Sequence, residues 1–167
     1  MKKLLRLTLF LILSVVLLFP AEAQTEKSNE VLAKMRLAND YFMAKWPDPG
    51  KTIITNRERP SNIWTRAVYY EGLMGLYSID PAERYYKYAV DWGEFHKWGF
   101  RSGNLTRNAD DQCAGQTYID LYVIDPKPER IGNITECMDH LVASDDNDDW
   151  SWIDALYMSA PVYAEVK

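Results

Sequence analysis

The chain has 167 residues and a net charge of −5, with six Trp, eleven Tyr and only two Cys. An acidic balance excludes nucleic acid and anionic membrane as partners, since both recruit cationic surfaces. Two cysteines declare no disulfide framework, while the many rings offer flat, half-polar faces on which sugars stack or helices pack.

At the start, Lys2, Lys3 and Arg6 precede the apolar stretch Leu7 to Phe19, then Pro20 and the small-residue pattern Ala21-Glu22-Ala23. Residues 1–23 therefore read as a cleaved secretory signal, too short for a membrane span and followed by no cysteine that would take a lipid. A retained signal anchor is the alternative. The remainder, 24–167, is expected to be exported to the periplasm or the extracellular space without a stable membrane span. It is also more acidic than the whole, at about −7 once the cationic signal is gone.

Six helices are predicted after the signal, over 27–46, 62–79, 82–98, 110–124, 127–143 and 150–166, with almost no strand alternation. The first has Val31, Leu32, Met35, Ala38, Tyr41 and Phe42 at helical spacing and stops at Pro47-Asp48-Pro49-Gly50. Later helices stop at Asp80-Pro81, at Asp125-Pro126 and in the polar run Ser144 to Asp149. That run, with Asp145, Asp146, Asp148 and Asp149, reads as a solvated loop, because it lacks the glycine and terminal Glu of an EF-hand.

A repeat underlies the pattern. Leu76-Tyr77-Ser78-Ile79-Asp80-Pro81 returns 45 residues later as Leu121-Tyr122-Val123-Ile124-Asp125-Pro126. Each unit is a helical hairpin, and stacked hairpins put leading helices in one layer and return helices in another.

Asp111, in Ala-Asp-Asp-Gln-Cys-Ala-Gly-Gln-Thr-Tyr (109–118), and Asp154, in Trp-Ser-Trp-Ile-Asp-Ala-Leu-Tyr-Met-Ser-Ala-Pro (150–161), fall 43 residues apart, each near the start of a leading helix. Neighbouring leading helices lie roughly 10 Å apart, so both carboxylates are expected on one rim. A helix N-terminus favours the ionised form of Asp111, whereas Trp150, Trp152, Ile153 and Leu156 would favour the acid form of Asp154 wherever they exclude water. Two carboxyls pushed apart in this way are an acid/base arrangement. The plainer reading makes Asp111 a helix cap or dipole partner, with Asp110 or Ser151 as caps too. Cys113 and Cys137 are expected to be buried free thiols, and His96 and His140 are isolated, so no metal site is supported. Asn104-Leu105-Thr106 and Asn133-Ile134-Thr135 match the short glycosylation pattern.

Three segments, ADDQCAGQTYIDLY, WSWIDALYMSAPVYA and NIWTRAVYYEGLMGLY, make the sequence resemble glycoside hydrolase families 88 and 105, the unsaturated glucuronyl and unsaturated rhamnogalacturonyl hydrolases. The likeness covers nearly all of 24–167. Ser151 stands where many relatives have Trp, and Ser159 where many have Ala. The resemblance implies an (α/α)6 barrel with a site at one end of its inner helices, and it implies no cofactor. The reaction it implies is hydration of the C4=C5 bond of a 4,5-unsaturated uronic acid at the non-reducing end of lyase-generated oligosaccharides. Asp154 falls on the family's general acid/base and Asp111 on its second aspartate, with Trp64 and Trp152 as stacking rings and Arg66 as a partner for the substrate carboxylate.

Six helices make three hairpins, about half of a twelve-helix barrel. The chain is accordingly expected to be the N-terminal part of such an enzyme, inactive alone and with an apolar edge on its inner layer. Two other readings stand beside it: a non-catalytic helical-repeat module binding oligosaccharide or protein at the cell envelope, and a conventional inverting hydrolase using Asp111 and Asp154 as base and acid.

Overall fold

A computed structural model describes residues 25–166, so the signal expected at 1–23 lies outside the described residues. The chain divides into two compact units, one ending at Lys45 and the other beginning at Trp46. Helix α1 of the first unit spans 25–45. Its exposed side carries neighbours one turn apart, Lys34 with Glu30 at 2.6 Å and Lys45 Nζ donating to Tyr41 OH at 3.2 Å.

The second unit is helical apart from a two-residue antiparallel ribbon, β1 (Ile53–Ile54) on β2 (Glu58–Arg59), which is too short to show a period in sequence. Helices α2 (Trp64–Ile79), α3 (Glu83–Phe95), α4 (Ala109–Gln112), α5 (Ala114–Ile124), α6 (Pro128–Val142) and α7 (Ala155–Glu165) follow. Three expected bounds change: the helix over 82–98 ends at Phe95, the helix over 110–124 is broken at Cys113 into α4 and α5, and the last begins at Ala155 because 150–154 forms turns and bends. Among the described residues, no helix is long and apolar enough to cross a membrane.

Leading and return helices differ in composition. Return helices α3 and α6 alternate one apolar face with a charged one, whereas α5 and α7 are apolar nearly all round, as inner-layer helices are. The packing follows: α2 lies on α5 and α5 on α7, while α3 backs α2 and α6 backs α5. Tyr70 of α2, Trp92 of α3 and Tyr118 of α5 meet at the centre, all 0% exposed, with ring centroids 4.0 Å apart for Tyr70–Trp92 and 5.3 Å for Trp92–Tyr118. Rings of this size supply much of the buried apolar area. Val123 of α5 and Leu156 of α7 remain 75% and 46% exposed.

The sequence repeat is a structural one. Asp80 N donates to Leu76 O at 2.9 Å, and Asp125 N donates to Leu121 O at 3.0 Å. Both leucines are buried, and in each case a proline follows the Asp and prevents the helix from continuing.

After α3 the chain turns back through two non-glycine residues at positive φ, Lys97 (53°) and Trp98 (56°). Such a conformation costs an L-residue roughly 1–2 kcal/mol. Contacts around the turn offset the cost: Asn133 Nδ2 donates to Lys97 O at 3.0 Å and Trp98 O at 3.1 Å, and the Trp98 indole lies on Gly93, where an added Cβ would come within 2.2 Å of the ring. Both asparagines of the glycosylation patterns are engaged here, since Asn104 Nδ2 donates to Asn133 Oδ1 at 2.8 Å.

His96, at the end of α3, shares a 2.7 Å hydrogen bond with Ser61 Oγ, which itself donates to Pro49 O at 2.9 Å. Ser61 has used its only proton, so the imidazole Nε2 is the donor. Burial lowers the His96 pKa from 6.5 to about 4. Because the folded value lies below the unfolded one, the unfolded chain takes up the proton first, and stability is lost as pH falls from 6.5 toward 4. The expected result is that His96→Gln flattens this part of a plot of Tm against pH relative to wild type; parallel curves would refute the assignment.

Candidate active site

The motif at 109–118 is consumed almost entirely by structure. Asn108 caps α4, its side chain accepting from Asp110 N at 2.9 Å, so neither Asp110 nor Asp111 is the cap. Asp111 is 0% exposed, and both of its oxygens are taken: Arg101 Nε donates to Oδ1 at 2.6 Å and Thr106 Oγ1 to Oδ2 at 3.1 Å. Gln112 Nε2 donates to Thr106 O at 2.8 Å, and its Oε1 accepts from Ser159 Oγ of α7. The serine found where many relatives have alanine therefore has a partner. Cys113 and Cys137 are buried and free, as expected. Gly115 lets α7 approach, since a Cβ there would stand 3.1 Å from Val162.

Gln116 answers a defect in α7. Pro161 lies inside that helix and has no N–H for the carbonyl four residues earlier, which belongs to Tyr157. Gln116 Nε2 donates to Tyr157 O at 2.8 Å and to Met158 O at 3.2 Å, so α5 supplies the missing bond and fixes the register of α7.

That register sets Asp154 at the N-cap position of α7, where its side chain makes no capping bond. The apolar company it has in sequence is not company in space: Trp152, Ile153 and Leu156 are 36%, 83% and 46% exposed, and Asp154 is itself exposed. The water exclusion expected around Asp154 is therefore absent, because the groups meant to provide it are themselves exposed. Trp152 stands two residues from Asp154, and Trp64, the first residue of α2, is 38% exposed, so both rings have free faces. Arg66 is otherwise placed. It is 6% exposed with its guanidinium 4.4 Å from the centre of the Trp46 ring, and burial lowers its pKa against the opposing influence of Tyr70, Tyr88 and Tyr69.

Electrostatics join the two rim segments through Asp110. Its pKa is raised by partial burial first, then by the negative charges of Asp111 and Asp154, against the opposing pull of Arg101 and Arg59. Asp110 therefore lies within reach of the charges of both Asp111 and Asp154, and α4 packs directly on α7. The arginines serving this cluster are Arg101 and Arg59, neither of which sequence reasoning singled out. Beside it, Glu71 of α2 accepts from Cys113 Sγ at 3.0 Å and from Tyr157 OH, and desolvation raises its pKa. Only the proximity of Arg101 to Asp111 in sequence hinted at any of these partners.

The acidic loop before α7 is less free than its composition implies. Arg107 Nε and Nη2 grip Asp149 at 2.6 and 2.5 Å, and Nη1 donates to Ser144 Oγ at 3.0 Å. One fork thus clamps the loop, with Asp146, Asp148 and Trp150 lining a cleft beside Tyr163. Among the described residues, no three His, Cys, Asp or Glu side chains are placed to hold a metal ion.

Comparison with known proteins adds to this geometry. The model of Glycosyl Hydrolase Family 88 matches residues 34–167. Among solved structures, a glycosyl hydrolase family 88 protein from Bacteroides vulgatus is similar at 28% identity and a TM-score of 0.70, over 81% of this chain and 40% of that one. A protein described as a polysaccharide lyase is similar at 27% identity and a TM-score of 0.71, with the same shares covered. This chain thus spans about 40% of the length of either structure. No curated protein matches.

Proposed function

This chain belongs to glycosyl hydrolase family 88, and from that premise we propose that its gene product removes 4,5-unsaturated uronic acid from the non-reducing end of lyase-generated oligosaccharides. In this reading the Asp154 carboxyl gives its proton to C4, the ring oxygen stabilises the cation left at C5, and water adds there. The resulting hemiketal opens to a ketone, and the exposed hemiacetal at C1 collapses and frees the next sugar. No sugar hydroxyl is displaced directly, so one well-placed proton donor is the central requirement.

The observation that carries the proposal is the state of Asp154. Its carboxylate stands at the mouth of α7, exposed and without a capping bond, within reach of the Asp110 charge and two residues from the part-exposed Trp152. A carboxylate with no structural duty beside an open indole face is suited to a flat, unsaturated ring. Asp111 has a structural duty, and in this reading it holds Arg101 in place.

The test follows the ultraviolet absorbance of the conjugated C4=C5 bond in unsaturated glucuronyl and galacturonyl disaccharides, using the product of the gene's own reading frame. Asp154→Asn is expected to lower kcat by roughly 100-fold or more, with Tm unchanged because the side chain makes no bond that folding requires. Full turnover in that variant, or none by wild type on either disaccharide, would defeat the proposal.

A further inference from the structure

One turn along α7 from Asp154, a phenol that stays in water is held at both ends. Tyr157 is 55% exposed, yet Gln116 of α5 donates to its backbone carbonyl at 2.8 Å and its own hydroxyl donates to Glu71 Oε2 of α2. Cys113 Sγ takes the other oxygen of Glu71 at 3.0 Å, so one carboxylate joins α2, α5 and α7. Pinning an exposed ring costs rotational freedom, and a pre-organised binding group is where that cost is offset.

Helical spacing places this pair beside the acid. Asp154 has helical dihedrals, φ −74° and ψ −12°. Residues three apart share a helix face with Cβ atoms about 5–6 Å apart, so Tyr157 follows Asp154 on one exposed face of α7. On α2, Glu71 lies two turns beyond the part-exposed Trp64 and on the same side. Past Glu71 that side is bare: Gly75, one turn further, is exposed, and a Cβ added there would meet nothing within 4 Å. Glycine inside a helix costs roughly 1 kcal/mol against alanine, and no packed neighbour requires it here; its effect is to leave open space beside the carboxylate.

We propose that Tyr157, held by Glu71, is a specificity-determining residue whose phenol oxygen accepts a hydrogen bond from the C2 or C3 hydroxyl of the unsaturated sugar while Asp154 faces C4. The inference rests on the hydration reading above. A phenol has one proton, and Glu71 takes it, so toward solvent Tyr157 presents lone pairs only. Such a group matches a sugar O–H and leaves a missing hydroxyl, or one capped as an ether, without a partner. The hydrogen bond to Glu71 and then partial burial raise the Tyr157 pKa, so the phenol keeps its proton and is a binding group rather than a second acid.

The experiment measures kcat, KM and Tm for wild type, Tyr157→Phe and Glu71→Gln, on an unsaturated disaccharide and on its analogues lacking the C2 or the C3 hydroxyl of the unsaturated ring. Wild type should lose roughly tenfold in kcat/KM on one analogue, as deletion of one hydrogen bond does. Tyr157→Phe should lose as much on the parent disaccharide, chiefly through KM, and nothing further on that analogue, because both changes delete the same contact. Glu71→Gln keeps the shape but not the charge; it should show the same pattern more weakly, and it reads the contact even where Tyr157→Phe fails to fold. A tie that only fastens α2 to α7 would lower Tm and leave the ratio between parent and analogue as in wild type. That unchanged ratio in both variants, or a wild type that takes all three substrates equally, would overturn this inference and leave the hydration reading standing. No turnover by wild type would overturn both.

Discussion

Asp111→Ala is expected to cost about 3–5 kcal/mol of folding stability, the range for removing one partner of a buried ion pair. The carboxylate is 0% exposed, and the side chain of its partner Arg101 is 19% exposed, so the substitution strands a guanidinium that reaches water poorly. Thr106 Oγ1 loses its acceptor in the same step. The loop between α3 and α4 depends on these two bonds, because Thr106 also receives Asn108 N on its hydroxyl and Gln112 Nε2 on its carbonyl. A chain of this size shifts its Tm by about 3 °C per kcal/mol, so a fall of roughly 10 °C should appear in a thermal melt. Asp111→Asn should fall between the two, since an amide oxygen still accepts from Arg101 without the charge. A variant that melts like wild type would mean that the Arg101–Asp111 pair is not a fastening of the rim.

The outcome separates a structural aspartate from an exposed one, where sequence reasoning had paired Asp111 and Asp154 as ionised partner and acid in one site. The repeat and the hairpin layers were legible because Leu76 and Leu121 recur in register and Asp-Pro stops each helix; those are local signals, and the structure keeps them. Which of two adjacent aspartates faces inward was not legible. It depends on Arg101 and Thr106, which reach Asp111 from a loop with no periodicity of its own. The exposure of Asp154 was missed for a related reason. Trp152, Ile153 and Leu156 are near it in the chain, but the turns of 150–154 spread them outward, and sequence proximity carries no information about that spread. The break at Cys113 was hidden too, since 109–124 keeps helical spacing across it. Its visible consequence, a four-residue α4 lying on α7, is what brings Asp110 to the rim.

The second large effect is expected at Arg130, far in sequence from either aspartate. The side chain is 2% exposed on α6, and its guanidinium closes the end of α5: Nη1 donates to Leu121 O at 2.8 Å, Asp125 O at 3.0 Å and Tyr86 OH at 3.1 Å, while Nη2 pairs with Asp125 Oδ2 at 3.0 Å. Its flat face lies 5.2 Å from the centre of the Trp98 ring, the residue held at positive φ. One planar cation thus satisfies the last carbonyls of a leading helix and backs the turn after α3. Arg130→Met keeps most of the volume and removes every donor, so Leu121 O and Asp125 O keep only their backbone donors, Asp125 N and Lys127 N, and Tyr86 OH and Asp125 Oδ2 lose the guanidinium; a loss of about 1.5–3 kcal/mol follows, the range for hydrogen bonds to a charged group. Arg130→Lys should recover little of it, because a point charge cannot reach two carbonyls, a carboxylate and a phenol at once. Urea unfolding reads both variants, and a lysine variant as stable as wild type would show that charge alone, rather than the fork, closes the helix. Because α5 carries Gln116 to the carbonyls of α7 and continues from α4, loosening its far end should also lower the turnover that depends on Asp154, with a smaller loss in kcat than Asp154→Asn itself produces.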